Sequence, residues 1–425
     1  MNIYKYPEPS SWIEMLKRPA YDTTSLYEKV ESILADVKKN GDAAVIKYTK
    51  QFDKADIQEF RVKPADLHEA NSEVSEELKE AIKEAEHNIK KFHSKQLNPD
   101  IYEETTPGVR CWQKTVPIQK VGLYIPGGSA PLLSTVLMLG VPAQLAGCKE
   151  IVLCTPPDEN GNISAGIKYI AHLLGIDKVF SVGGVQAIAA MAYGTESIPK
   201  VNKIYGPGNQ YVTAAKQLVS RDTVAIDMPA GPSELAVIAD DSCVPAYVAS
   251  DLLSQAEHGI DSQVILISNS ERLIQSVQKE LESQMAMLPR KEIAAKSLKN
   301  SKIILMESRS EMVDIVNYYA PEHLIIVCKD YAELSEQIEN VGSIFLGNYT
   351  PESAGDYASG TNHTLPTNGW AHSYGGLNMD AFVKKITLQE ISKDGLFNIG
   401  RTVMTMAEEE KLLAHKNSVA IRMKN

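Results

Sequence analysis

Cysteine is scarce in this sequence, and its spacing excludes two kinds of site. The five cysteines are odd in number and include no CxxC pair: Cys111, Cys148, Cys154, Cys243 and Cys328. This spacing argues against a zinc ribbon and against a CxxC redox centre. Widely separated thiols are typical of reduced cysteines in a cytosol, so we expect a cytoplasmic protein.

Positive charge is also in short supply. The chain has 43 Lys and Arg against 54 Asp and Glu, which gives a net charge of -11 and a pI near 5.4. The lysines form no stripe with interleaved aromatics, so nucleic acid is not an expected partner. Residues 1–19 lack the apolar core of a secretory signal, and no export is expected.

The charge-free stretch from Val121 to Cys148 has two interpretations. It is long enough to cross a bilayer as a helix. However, Pro126, Pro131 and Pro142 interrupt it, together with a glycine pair at 127–128. These breaks favour a strand, a turn and a buried helix of an α/β core, and we expect no membrane contact.

Amphipathic helices are predicted over residues 25–52 and 72–95, where apolar residues recur at three- and four-residue steps. From Val121 onward, short β-branched runs alternate with helical segments, and a second such series covers 236–327. These patterns predict an α/β fold with two Rossmann-like lobes, each an incomplete, doubly wound parallel sheet. Such folds place active sites at the carboxyl ends of strands and in the cleft between lobes.

Two segments could supply metal ligands. Gln255 and His258 lie three residues apart near the end of a predicted helix and so share a face, while Asp356 lies in a glycine-rich loop. With His415 near the C-terminus, they offer the nitrogen and oxygen ligands that suit zinc. The alternative is that each histidine simply caps the C-terminus of a helix.

Glu322 and His323 directly precede the apolar run LIIV, which places an acid beside a base at the mouth of a predicted strand. Histidine is suited to proton transfer near neutral pH, and glutamate can orient water. A solvated start of a strand is the alternative explanation.

Glycine turns are expected where three strands meet helices, at residues 126–128, 183–184 and 206–208. Backbone amides at such turns can receive phosphate oxygens. The last turn continues Asn209, Gln210, Tyr211 and is not GxGxxG, so the usual dinucleotide fingerprint is missing. Packing and turn formation explain these glycines equally well.

Taken in order, several segments resemble the histidinol dehydrogenase family, and the resemblance covers nearly the whole chain. The segments are GDAAVIKYT at 41–49, VGLYIPGG at 121–128, GPGNQYV at 206–212, DMPAGPSE at 227–234, QAEH at 255–258, APEHL at 320–324, the loop around Asp356 and AHKN at 414–417.

The resemblance implies a role for individual residues. It implies NAD contacts at Tyr124, Gln186 and Asn209, and zinc ligands at Gln255, His258, Asp356 and His415. It implies that L-histidinol is surrounded by Ser233, Gln255, His258, His323, Asp356, Glu410 and His415. Glu322 and His323 match the catalytic pair. The implied reaction is the NAD-dependent four-electron oxidation of L-histidinol to L-histidine through bound L-histidinal, the last step of histidine biosynthesis.

The resemblance also implies a homodimer in which the C-terminal segment completes the partner's site. We therefore expect a first lobe from 26–121 with 236–376, carrying the catalytic pair and zinc ligands, and a second, NAD-binding lobe from 122–235. Small helical extensions at 1–25 and 377–399 would mediate dimerisation, and a helical tail at 400–425 would reach the partner.

Three rival functions remain open at this point. A family relative could oxidise another small alcohol, such as a sulfonated diol, with the same NAD and zinc. A zinc hydrolase would use Glu322 to activate water and would turn over without NAD. A binding protein without catalysis would keep its function after zinc removal.

Overall fold

The fold contains three β-sheets and the helices that cover them. The computed structural model describes residues 1–19, 23–97, 100–127, 131–229 and 231–424. The strands are β1 Asn2–Lys5, β2 Tyr102–Thr106, β3 Val109–Pro117, β4 Lys120–Tyr124, β5 Glu150–Thr155, β6 Lys178–Ser181, β7 Lys203–Tyr205, β8 Ala225–Ile226, β9 Glu234–Ala239, β10 Gln263–Ser268, β11 Lys302–Leu305, β12 His323–Val327, β13 Ser343–Leu346 and β14 Val383–Ile391. The helices are α1 Trp12–Met15, α2 Thr23–Phe52, α3 Pro64–Glu73, α4 Glu76–His93, α5 Leu133–Ala146, α6 Ala165–Leu173, α7 Gly184–Tyr193, α8 Gln210–Ser220, α9 Pro245–Ala256, α10 Glu271–Met285, α11 Lys291–Asn300, α12 Arg309–Tyr319, α13 Tyr331–Ser335, α14 Glu352–Tyr357, α15 Lys393–Glu409 and α16 Leu413–Arg422.

Two parallel sheets share one topology. The first has the order β6-β5-β4-β7-β8, and the second has the order β1-β11-β10-β9-β12-β13. In each, the chain runs outward on one side of the first strand and then returns to the other side, which is the arrangement of a Rossmann half. The mixed α/β fold with two parallel lobes, expected from the alternating pattern, is confirmed.

The N-terminal helices cover the five-stranded sheet. Val30 and Val45 of α2 join a core that includes Val152 of β5, and Ile82 and Ile89 of α4 belong to the neighbouring core. The predicted division of the chain, which groups residues 26–121 with 236–376, stays a prediction. Apolar periodicity shows which face of a helix is buried but not which sheet covers it.

The terminal extensions are not purely helical, and this part of the expected fold class is wrong. Strand β1 pairs in parallel with β11 at the edge of the six-stranded sheet. Strands β2, β3 and β14 form an antiparallel sheet, in which Val383 pairs with Pro117 and Ile391 with Val109. The β14 residues are mostly exposed, so their sequence gives little of the apolar patterning that indicates a strand.

The helical tail predicted at 400–425 contains the end of one helix and a second, separate helix. Helix α15 ends at Glu409, and α16 begins at Leu413. Between them Lys411 has φ 59°, a left-handed conformation that an α-helix cannot contain. Helices α15 and α16 contact each other and form a C-terminal arm.

The charge-free stretch forms β4 and the buried helix α5, as the core interpretation predicts. None of the helices in the described ranges is long and apolar enough to cross a membrane. Glycine 128, which belongs to one predicted turn, lies outside the described residues.

Phe382 joins the antiparallel sheet to the five-stranded sheet. Its ring is fully buried and stacks on Tyr205 at 4.3 Å between centroids. The Tyr205 hydroxyl donates to the backbone oxygen of Ala381 at 2.6 Å. This contact fixes the start of β14 against β7.

Replacing Phe382 with alanine should lower the free energy of unfolding by about 3–5 kcal/mol, because it leaves a cavity in a closed core. Urea denaturation measures the change. The control Phe92→Ala removes a ring that is 47% exposed and should cost less than about 1 kcal/mol. Equal losses in the two variants would contradict this role of Phe382.

Candidate active site

Three residues expected to contact NAD lie at the carboxyl edge of the five-stranded sheet. Tyr124 ends β4, Gln186 lies in the first turn of α7 and Asn209 precedes α8. This edge includes the point where the strand order reverses, between β4 and β7. Open α/β sheets bind ligands in the crevice that forms there.

Each of these side chains is fixed by the protein. The Tyr124 hydroxyl accepts the Gly184 N–H at 3.1 Å, and burial raises its pKa far above the ordinary value. The Asn209 oxygen caps α8 by accepting the N–H groups of the two residues after Gln210. The Gln186 amide donates to Asp53 at 3.3 Å, while its buried oxygen has no partner. An unpaired buried oxygen is costly, so this position is suited to a ligand donor.

Glycine is required at Gly206, which follows β7. Its φ is 123°, and a Cβ there would lie 2.0 Å from the Tyr124 carbonyl oxygen. The buried Lys216 ammonium holds the turn, because it donates to the Gly206 oxygen at 2.7 Å and pairs with Asp227. The backbone can therefore approach β4 closely at the crevice.

The catalytic candidates Glu322 and His323 lie at the amino edge of the six-stranded sheet, where its strands begin. His323 is the first residue of β12 and pairs in register with Ser343 at the start of β13. The expectation that active sites lie at carboxyl ends of strands is therefore wrong for this lobe. The C-terminal end of α9, which carries Gln255, lies at this amino edge because connecting helices run antiparallel to the strands.

The backbone of one residue, Glu234, orients both candidate catalytic side chains. The Glu234 N–H donates to Glu322 Oε2 at 2.9 Å, and the Glu234 carbonyl lies 3.3 Å from His323 Nδ1. Nδ1 must carry the proton to donate to a carbonyl, which leaves the lone pair on Nε2. His323 Nε2 is buried, and none of the described residues forms a hydrogen bond with it.

Three carboxylates surround the His323 ring. Its Nδ1 lies 3.6 Å from Glu322 and 3.6 Å from Glu352, and its Nε2 lies 3.8 Å from Asp356. Burial lowers the pKa of His323, but the charges of these carboxylates outweigh it and raise the pKa to about 10. A cation beside Glu352 and Asp356 would oppose this rise.

A metal-ligand cluster adjoins the catalytic pair. Ligand atoms of His258, Glu352 and Asp356 lie within 4.8 Å of one another. One imidazole and two carboxylates form a donor set that suits Zn²⁺. In the amide orientation that satisfies its neighbours, Gln255 donates to Glu352 and accepts the Glu234 N–H at 3.3 Å. The residues present therefore fit a zinc site.

The remaining predicted substrate residues divide into two groups. Ser233 is half-buried and directly precedes β9, next to the catalytic pair. Glu410 and His415 are exposed on the C-terminal arm, and within the described ranges neither belongs to the ligand cluster. Their predicted action in the partner's site stays a prediction.

Sequence reasoning missed Glu234, Glu352 and His363. His363 connects the lobes, because its Nε2 lies 3.1 Å from Thr135 Oγ1 in α5 and its Nδ1 lies 4.0 Å from Asp356. Burial lowers the pKa of His363. The sequence shows that Glu352 and His363 are ionisable residues near Asp356. Only tertiary packing shows which side chains of this segment face inward.

Comparisons with known proteins identify the family of this chain. The family model for histidinol dehydrogenase matches residues 16–423. The histidinol dehydrogenase of Bacteroides thetaiotaomicron is 58% identical over 423 residues, covering 100% of this chain and 99% of that protein. The Vibrio parahaemolyticus enzyme is 52% identical, with 96% of this chain and 95% of that protein covered. The crystal structure of histidinol dehydrogenase from Elizabethkingia anophelis superposes with a TM-score of 0.97 at 52% identity, covering 100% and 98%.

The fold and these matches define the class as an NAD-dependent oxidoreductase. The chain belongs to the histidinol dehydrogenase family.

Replacing His258 with alanine should reduce bound zinc from about one ion per subunit to a small fraction after dialysis, because the cluster loses an imidazole ligand. Elemental analysis measures the content. The control His68→Ala alters an exposed histidine far from the cluster, next to His172, and should keep its zinc. Full zinc occupancy in His258→Ala would exclude the assigned cluster.

Proposed function

We propose that the protein oxidises L-histidinol to L-histidine in two successive steps, with L-histidinal kept bound between them. The observation that supports this proposal is the buried His323, whose Nδ1 faces the Glu234 carbonyl and lies 3.6 Å from Glu322, and whose Nε2 forms no hydrogen bond with the described residues. A base fixed in one tautomer beside a second proton acceptor suits two consecutive proton removals.

In the first oxidation, His323 Nε2 takes the proton of the substrate hydroxyl as the adjacent carbon loses hydride. The Glu234 carbonyl stabilises the resulting imidazolium through Nδ1–H. The carboxylates of Glu352 and Asp356 also favour the charged ring. The buried setting excludes bulk water, which keeps the aldehyde from being lost.

In the second oxidation, Glu322 orients a water molecule toward the aldehyde carbon and takes one of its protons. Its Oε2 is held by the Glu234 N–H, so the carboxylate keeps one direction relative to His323. The His323 imidazolium left by the first oxidation gives its proton to the aldehyde oxygen as water adds, which forms the hydrate and restores the neutral ring. The hydrate then loses a hydroxyl proton to His323 as the carbon loses a second hydride. One histidine thus serves both oxidations.

NAD, when bound, supplies the hydride acceptor for each oxidation. Tyr124, Gln186 and Asn209 would hold it at the carboxyl edge of the five-stranded sheet. Zn²⁺, when bound, has no redox chemistry and holds the substrate through nitrogen ligands. Its ligands would be Gln255, His258 and Asp356, with Glu352 beside them. The C-terminal arm of a second subunit would contribute His415.

The C-terminal arm would complete the site of a second subunit. Helix α16 buries no residue. At least half of the surface is exposed for three apolar residues of the arm, Met406, Leu413 and Ile421. Exposed apolar side chains in such numbers favour burial against a partner. A homodimer in the cytoplasm would place Glu410 and His415 of each subunit beside the other's substrate. The lobe boundaries at 121–122 and 235–236 belong to the same proposal.

Changing His323 to asparagine should lower kcat by about 10²- to 10⁴-fold with either histidinol or histidinal, because both steps lose their base. Changing Glu322 to glutamine should chiefly slow oxidation of supplied histidinal. Single-turnover formation of NADH from each substrate separates the two steps.

The exposed Glu336→Gln serves as the control and should keep both rates. Equal losses at both steps in Glu322→Gln would contradict the assigned division of roles.

Mixing inactive subunits tests the arm. His323→Asn and His415→Asn each abolish activity alone, but a mixed dimer pairs one intact catalytic centre with one intact arm. Refolding the two together should restore about a quarter of wild-type activity, because half the dimers are mixed and each has one native site. Activity that stays absent in mixed dimers, isolated by separate affinity tags, would exclude action across the interface.

A further inference from the structure

Glu234 has a side chain that the mechanism above does not use. Strand β9 begins with this residue, and its carboxylate is buried with 2% of the residue exposed. Arg18 pairs with it in a fork, with Nε facing Oε1 and Nη2 facing Oε2 at 3.0 Å. The N–H of Asn368 donates to the same carboxylate at 3.0 Å.

The same guanidinium forms hydrogen bonds with the segment that precedes the catalytic pair. Arg18 Nη2 donates to the carbonyl of Tyr319 at 2.6 Å and lies 3.4 Å from that of Ala320. These are the final carbonyls of α12, where helices leave acceptors unsatisfied and favour positive charge. The guanidinium also lies 4.1 Å from the centre of the Tyr319 ring, a cation–π distance.

This end of α12 is conformationally unusual. Ala320 has φ 50°, which is rare for a residue with a side chain, and only Pro321 separates it from Glu322. Such a conformation persists where surrounding contacts hold it. Arg18 therefore connects the peptide that orients the catalytic pair with the turn that carries it.

We propose that Arg18 and the Glu234 side chain are positioning residues, which lock the Glu234 peptide and the Ala320 turn so that Glu322 and His323 keep their reactive geometry. Arg18 acts through Glu234 and α12, and its hydrogen bonds within the described part of the chain reach no residue of the zinc cluster or the NAD crevice. Its loss should therefore affect rate and leave ligand affinity intact. The inference rests on the proposed function, because it assumes that His323 and Glu322 do the chemistry.

Replacing Arg18 with methionine should lower kcat by about 10- to 100-fold for both histidinol and histidinal, since small displacements of reacting groups cost this much. The KM values for histidinol and NAD, and the zinc content, should stay within about threefold of wild type, because no binding contact is removed. The control Lys17→Met makes the same kind of change at the neighbouring exposed position and should keep kcat.

Guanidinium chloride at millimolar concentration provides a second readout in Arg18→Ala. Arg18 is 21% exposed at its side chain, so a free guanidinium can enter the vacated space. It should raise kcat several-fold, whereas equal sodium chloride should not.

The outcomes separate the two proposals. If wild-type protein forms no NADH from histidinol, the proposed function fails. If wild type is active, then an unchanged kcat in folded, zinc-loaded Arg18→Met overturns the positioning role. A raised KM at constant kcat also overturns it. If Arg18→Met does not fold, Arg18→Lys decides, because its ammonium keeps the charge but not the fork: reduced kcat at constant KM supports the role, and wild-type kcat overturns it.

Discussion

The proposed chemistry depends on the backbone hydrogen bonds of Glu234. The N–H of Glu234 holds Glu322, and its carbonyl lies 3.3 Å from the Nδ1 of His323. A histidine ring can act as a base at Nε2 only while its other nitrogen keeps the proton, and the carbonyl enforces that arrangement. Without this constraint, burial among carboxylates would leave the ring orientation and tautomer undefined.

The two lobes contribute opposite edges to one cleft. The five-stranded sheet presents a carboxyl edge, where Gly206 allows the backbone to approach β4 closely. The six-stranded sheet presents an amino edge, where strands β9 and β12 begin with Glu234 and His323. The contact of Thr135 with His363 brings the two edges together beside Asp356. A crevice built this way can hold a dinucleotide on one side and a polar substrate on the other.

Much of the fold could be predicted from the sequence, because buried parallel strands appear as short apolar runs. Strand β12 begins at His323 and ends at Val327, as its pattern predicts. The long-range pairing of β14 with β3 could not be predicted, since β14 is largely exposed and its partner is distant in sequence. Gln255 and His258 were found by their helical spacing, but Glu352 lies in a segment that resembles a loop. The predictions of NAD binding and of the roles of Glu410 and His415 came from the resemblance to the family and not from residue chemistry.

The central claim is that one buried histidine serves two successive oxidations of a substrate that stays bound. The most direct measurement is the yield of NADH from a limiting amount of L-histidinol, together with analysis of free aldehyde and L-histidine. The account predicts two NADH and one histidine per histidinol, no free aldehyde at any time, and loss of both products on chelation with recovery on adding zinc. One NADH per histidinol with aldehyde released, or turnover that needs no NAD, would contradict it.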